Sequence, residues 1–274
     1  NRPTLVQMKV SVPYFAYPKK VKKNADEPDE QRETFSLNDI HFTGNPGELI
    51  GIVGLSGCGK STILKVISDT LDLSYSETRG DVKVLGSSPK KAREQRKIGF
   101  VFQKPTLLQW RNLEKNVSLP LEIIGLNKRE IKKRVKKLLK MVELEKYASY
   151  HPDQLSGGMQ QKVSIARALA YDPEILLMDE PFGALDEINR RKMNDELLSV
   201  WKETGKTIVF VTHSIEEAIY LSQRIIVLTK QPGRIKKIIN VELPYPRKEE
   251  LGSLKFYKYI NQIRSLLENE EEIV

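Results

Sequence analysis

Nine residues, GLSGCGKST from Gly54 to Thr62, restrict this chain more than any other stretch. They satisfy G-x-x-x-x-G-K-[ST] in full, directly after the apolar run LIGIV (49–53) and before the helical pattern TILKVIS. A strand–loop–helix unit of an α/β core gives that order its use. Glycines let the main chain curl so that successive N–H groups face one point, and the helix start adds partial positive charge. Gly54, Leu55, Ser56, Gly57, Cys58, Gly59, Lys60, Ser61 and Thr62 are therefore expected to cradle the phosphates of a nucleotide. Lys60 can reach the β- and γ-phosphates, and the Ser61 hydroxyl suits Mg²⁺, which prefers oxygen ligands. Cys58 has no setting for nucleophilic work and reads as a small residue whose N–H matters.

Further apolar runs lie at 98–102 (IGFVF), 175–178 (ILLM), 207–211 (TIVFV) and 225–228 (IIVL). Short, β-branched and not alternating, they suit strands buried on both faces of a parallel sheet, with helices between them. In such sheets ligands bind beyond the carboxyl ends of the strands, so polar residues there gain weight. ILLMDE ends in Asp179, expected in the Mg²⁺ shell, and Glu180, the candidate general base for water attacking a γ-phosphate. A plain polar turn before Pro181 is the competing reading, and the phosphate loop upstream outweighs it. Gln103 follows IGFVF and offers an amide to metal or water. His213 follows TIVFV, where its imidazole could hydrogen-bond the γ-phosphate and register its loss. His41 and His151 lack such a setting.

The net charge of +9 permits nucleic acid, acidic lipid or nucleotide as a partner and does not choose among them. Much of the excess sits in KREIKKRVKKLLKMVELEK (128–146), where Ile131, Val135, Leu138, Leu139 and Val142 share one helical face. A solvated face is the plain reading, and contact with anionic lipid the sharper one. Uncharged runs fall well short of the ~20 apolar residues a membrane span needs. With no leader pattern, the chain is expected neither to cross a membrane nor to be secreted. One cysteine excludes an internal disulfide and fits a reducing cytoplasm. Residues 1–18 read as a strand ending in Tyr14, Phe15 and Tyr17, and the charged stretch 19–33 as an exposed loop. Residues 103–160 show helical patterns only, an inserted helical subdomain. The PGR turn at 232–234 marks a hairpin into IKKIINVEL, and residues 248–272 read as an amphipathic helix.

LSGGMQQ (155–161) holds a second candidate anion cradle. A capping box wants Glu or Gln three residues after Ser156, where Met159 stands. The Ser156 hydroxyl and the N–H groups of Gly157 and Gly158 are therefore expected to stay free for an anion at a helix N-terminus. In order and spacing, GLSGCGKST, Gln103, LSGGM, ILLMDE, ALD (184–186) and His213 resemble the nucleotide-binding subunits of ABC transporters, over about residues 5–245.

That resemblance implies an α/β P-loop NTPase (RecA-like) core with an N-terminal antiparallel β region and an inserted helical subdomain. The nucleotide-binding domain would span 1–245 and a C-terminal helical extension 246–274. ATP and Mg²⁺ are the implied ligands. In the family LSGG faces the phosphate loop of a second subunit, which implies a twofold pair with two ATP sites and Asp186 across the interface. An aromatic near the start stacks on adenine, here Tyr17 with Phe15 as second choice, although the 19–33 insertion departs from the usual short turn. Longer segments, among them HPDQLSGGMQQKVSIARAL and VTHSIEEAIYLSQRIIVL, look like the nitrate/sulfonate/taurine importers, with Gln109 and Lys162 as departures. This narrower likeness implies an ATPase peripheral to the cytoplasmic membrane face that energises a separate permease, docked around Gln103 to Leu121. A solute-binding protein would act indirectly, and no nucleic acid is expected. The rivals are a soluble ABC ATPase acting on nucleic acid or ribosomes, and a P-loop kinase or binding module.

Overall fold

The computed structural model describes residues 6–16, 36–71 and 77–268, so Tyr17 and the charged stretch 19–33 lie outside the described residues. Three strands, β1 (Met8–Ala16), β2 (Ser36–Gly44) and β4 (Glu77–Val84), form an antiparallel sheet in the order β2-β1-β4. The main sheet contains β3 (Leu49–Val53), β5 (Ile98–Val101), β6 (Ile175–Asp179), β7 (Thr207–Thr212), β8 (Arg224–Leu228) and β9 (Ile235–Asn240), in the order β5-β6-β7-β3-β8-β9. All its pairings are parallel except β8 with β9, the hairpin closed by the PGR turn. The apolar runs thus became strands of the expected kind, within a residue or two of the expected ends.

Burial on both faces explains their unbroken hydrophobicity. Leu49, Leu176, Met178, Ile208 and Phe210 join one core cluster. Their neighbours Ile50, Ile52, Ile175, Leu177, Val209 and Val211 join another on the opposite side, with α1 (Lys60–Ser68) and the antiparallel sheet. Between β5 and β6 lie α3 (Leu113–Ile123), α4 (Lys128–Met141) and α5 (Gly157–Leu169), after the short α2 (Pro89–Glu94) that precedes β5. The helical segment shares the first cluster with the sheet, and α5 runs unbroken through residue 160. On α4, Val135, Leu138 and Leu139 are buried, so its amphipathic reading holds.

Beyond the sheet come α6 (Glu187–Thr204), α7 (Ile215–Leu221) and α8 (Leu254–Glu268). A third cluster, including Val53, Ile219, Ile225, Val227, Phe256, Ile260 and Ile263, packs α8 against α7 and β8. Arg247, only 1% exposed, fastens the approach to α8. Its guanidinium donates to the carbonyls of Ile219 (2.6 Å), Leu243 (3.3 Å) and Val241 (3.2 Å), and lies 4.2 Å from the Tyr245 ring centre. Burial pushes the Arg247 pKa down, so those carbonyls are what keep its charge tolerable.

Arg247→Ala should lower unfolding stability by ~3 kcal/mol, because it leaves a cavity and several buried carbonyls without donors. Urea denaturation with an unchanged m-value checks this, and a loss below ~1 kcal/mol would show that the carbonyls find other donors.

Candidate functional site

The carboxyl ends of β5, β6, β7 and β3 lie side by side and carry Gln103, Glu180, His213 and the phosphate loop in that order. This is the edge where an open α/β sheet receives ligands. The loop is shaped by close approach. A β-carbon on Gly54 would lie 2.5 Å from the Cys58 sulfur, so only glycine fits there. Lys60 is 5% exposed and its ammonium donates to the carbonyls of Gly54 (2.9 Å) and Leu55 (3.1 Å). Cys58 departs from expectation. Its N–H points inward to the Leu55 carbonyl (3.3 Å) and its side chain packs in the core, so it serves the shape of the loop.

Ser61, in the first turn of α1, donates its hydroxyl to Asp179 Oδ1 at 2.7 Å. Burial pushes the Asp179 pKa up, the Ser61 hydrogen bond opposes the rise, and the neighbouring Glu180 charge adds to it. A half-buried carboxylate beside a hydroxyl oxygen is a donor set that fits Mg²⁺, a hard cation bound by oxygens. Gln103 stands apart from that pair. Its Nε2 donates instead to Glu180 Oε2 at 3.3 Å, and His213 Nδ1 meets the same oxygen at 3.1 Å. Two strand-end side chains thus converge on one carboxylate oxygen. Glu180 has a left-handed backbone (φ 42°), with its N–H on the Val211 carbonyl and its own carbonyl accepting from Gly183. A non-glycine residue held there costs ~1–3 kcal/mol, the kind of strain found at working sites.

The turn at 155–158 corrects one expectation. Ser156 is the N-cap of α5 and its Oγ accepts from the Met159 N–H at 3.3 Å, so the hydroxyl oxygen is engaged. A serine cap needs no Glu or Gln partner three residues on. The N–H groups of Gly157 and Gly158, in the first turn, have no intrahelical acceptor. A β-carbon on Gly157 would meet nothing closer than 3.7 Å, and on Gly158 nothing closer than 3.9 Å. Packing within this chain therefore does not call for either glycine. Asp186 is the exposed N-cap of α6, its Oδ1 accepting from Asn189 N–H at 3.0 Å, and those hydrogen bonds hold its pKa down. Neither the turn nor Asp186 belongs to the contact network around Glu180. Phe15, the second choice for adenine stacking, is fully buried and offers no free ring face.

One support was not foreseen. The PGR turn presses on the phosphate loop: Gln231 Nε2 donates to the Gly57 carbonyl at 3.2 Å, and a β-carbon on Gly233 would lie 2.1 Å from the Cys58 carbonyl oxygen. The sequence showed a hairpin turn there, and nothing local says which loop it touches. Gly233→Ala should displace the phosphate loop and weaken ATP binding on the order of tenfold or more. Titration calorimetry checks this, and unchanged affinity would mean the turn is not a buttress.

A family model described as ABC transporter matches residues 37–183. An uncharacterized ABC transporter ATP-binding protein of Methanocaldococcus jannaschii is 46% identical over 235 residues, spanning 86% of this chain and 85% of that protein. The aliphatic sulfonates import ATP-binding protein SsuB of Bacillus cereus is 40% identical over 219 residues, 80% of this chain and 84% of that protein. A solved dimeric ATP-binding cassette in a post-hydrolysis state, bound to ADP and Pi, matches with a TM-score of 0.67 and 32% identity over 86% of this chain and 100% of that one.

Proposed function

This chain belongs to the ABC transporter family as an ATP-binding, ATP-hydrolysing subunit, and on that premise we propose that it powers sulfonate-type solute import through a separate membrane permease. The observation that carries the mechanism is the meeting of Gln103 and His213 on one oxygen of Glu180. Glu180 is the base that polarises the attacking water, and the two neighbours fix its orientation at the strand ends. His213 also faces the γ-phosphate, and Gln103 links the base to the helical segment that follows β5. Lys60 and N–H groups of the Gly54–Thr62 loop other than that of Cys58 hold the phosphates. Ser61 and Asp179 are the residues that would hold Mg²⁺, which would supply positive charge to offset that of the β- and γ-phosphates.

Two such chains form one working unit. Glycine is a poor helix former, and packing inside the chain demands neither Gly157 nor Gly158. Their use lies outside the chain, against ATP held by a second copy, with Asp186 across the same interface. The solved dimeric cassette with ADP and Pi supports this arrangement. Tyr17 stacks on adenine, residues 1–245 form the nucleotide-binding domain, 103–160 its helical subdomain, and 246–274 the extension. No helix among the described residues is long and apolar enough to cross a membrane. Our reading puts the chain peripherally on the cytoplasmic face, and exposed Phe102 and Trp110, beside and within the stretch proposed to dock the permease, suit that contact. Solute specificity belongs, in this reading, to the permease and a separate solute-binding protein. The positive charge lies largely on exposed α4, and no relative compared above favours a nucleic-acid role.

Lys60→Ala should abolish Mg·ATP hydrolysis in a phosphate-release assay, and wild-type turnover would remove the phosphate loop from the mechanism. Glu180→Gln should keep ATP binding, lose ~10²–10⁴-fold in turnover and elute as a dimer with ATP on size exclusion. A monomer under those conditions would contradict the shared site.

A further inference from the structure

Between α6 and α7 lies a cavity of about 490 Å³ whose lining includes Arg190, Asn194, Glu217 and Tyr220. Glu217 is 4% exposed, three residues after Ser214, which caps α7 and accepts the Glu217 N–H at 3.2 Å. The Thr212 hydroxyl serves the carboxylate on one side, while Oε1 is buried without a hydrogen-bond partner. Asn194, 5% exposed and one turn beyond Arg190 on α6, has its Oδ1 in the same condition. Two buried acceptors at one cavity call for a donor.

Arg190 is that donor by position. Its Nη2 donates to the Leu185 carbonyl at 2.7 Å and its Nε to the Phe182 carbonyl at 3.4 Å. The guanidinium therefore already grips the segment between Glu180 and Asp186, and a guanidinium has five N–H groups to distribute. Glu217 in turn stands four residues after His213, on the helix that His213 leads into. Burial pushes the Glu217 pKa up, the Thr212 hydroxyl and the Arg190 and His213 charges oppose the rise, and the Glu180 charge adds to it.

We propose that Glu217 is a positioning residue for ATP hydrolysis: when two chains close on nucleotide, Arg190 spans the α6–α7 cleft to Glu217 Oε1. That bridge ties the Asp186 segment, which faces the second chain, to the His213 segment, which holds the base Glu180. Closure sensed at Asp186 is thereby delivered to the catalytic carboxylate. Neither Arg190 nor Glu217 touches the nucleotide in this scheme. The inference rests on the shared-site reading above.

The test is a double-mutant cycle on full-length protein, reading kcat and KM for Mg·ATP together with thermal midpoints. Glu217→Gln preserves shape and removes the charge. It should lower kcat about tenfold, the worth of one charge-assisted hydrogen bond, with KM unchanged. Arg190→Gln should do the same, and the double variant should be no slower than either single one. Arg190→Lys, which keeps charge but loses the planar fork, should recover kcat only in part, and serves as the test should Glu217→Gln fold poorly. Additive losses, a wild-type kcat in Glu217→Gln, or full activity in Arg190→Lys would overturn the bridge. A wild-type protein without any ATPase activity would instead overturn the functional reading beneath it.

Discussion

A parallel sheet buried on both faces can offer polar chemistry only where its strands end. Here β5, β6, β7 and β3 end side by side, and each end carries one functional group or loop. The hydrogen bond from Ser61 to Asp179 joins the phosphate loop to the β6 end. The contacts of Gln103 and His213 with Glu180 join β5 and β7 to it. Displacing any of these strands along the sheet by one residue would aim its terminal side chain elsewhere. The apolar alternation between the two core clusters is what forbids that displacement.

Much of this was legible in sequence because it rests on local rules. Unbroken β-branched runs marked the parallel strands, and the loop pattern fixed where α1 begins. Asp179, Glu180, Gln103 and His213 were singled out because each stands within two residues of the end of such a run. Long-range contacts were not legible. Nothing in the order of residues says that Gly233 lies against Cys58, or that the charge of Arg190 reaches Glu217 from another helix. Ser156 misled for a different reason: the absence of a Glu or Gln at position 159 was read as the absence of a cap, while the serine oxygen alone suffices. Gln103 was expected to offer its amide to metal or water, and the fold also sets that amide against the Glu180 carboxylate.

Inside one chain the polar network gathers Gln103 and His213 on the Glu180 carboxylate. The phosphate loop holds one side, while the turn at 155–158 and Asp186 satisfy their own caps away from it. The chain's own packing leaves room for a β-carbon at Gly157 and Gly158, as the proposed interface with a second copy requires. In the proposed cycle, loss of the γ-phosphate removes what both chains grip, and the pair reopens.

Specific ATPase activity measured across a dilution series reaches this account at its base. If each site is walled by two copies, activity per chain must fall as dilution separates them, and recover on reconcentration. Activity per chain that stays constant into the range where light scattering shows only monomer would contradict it.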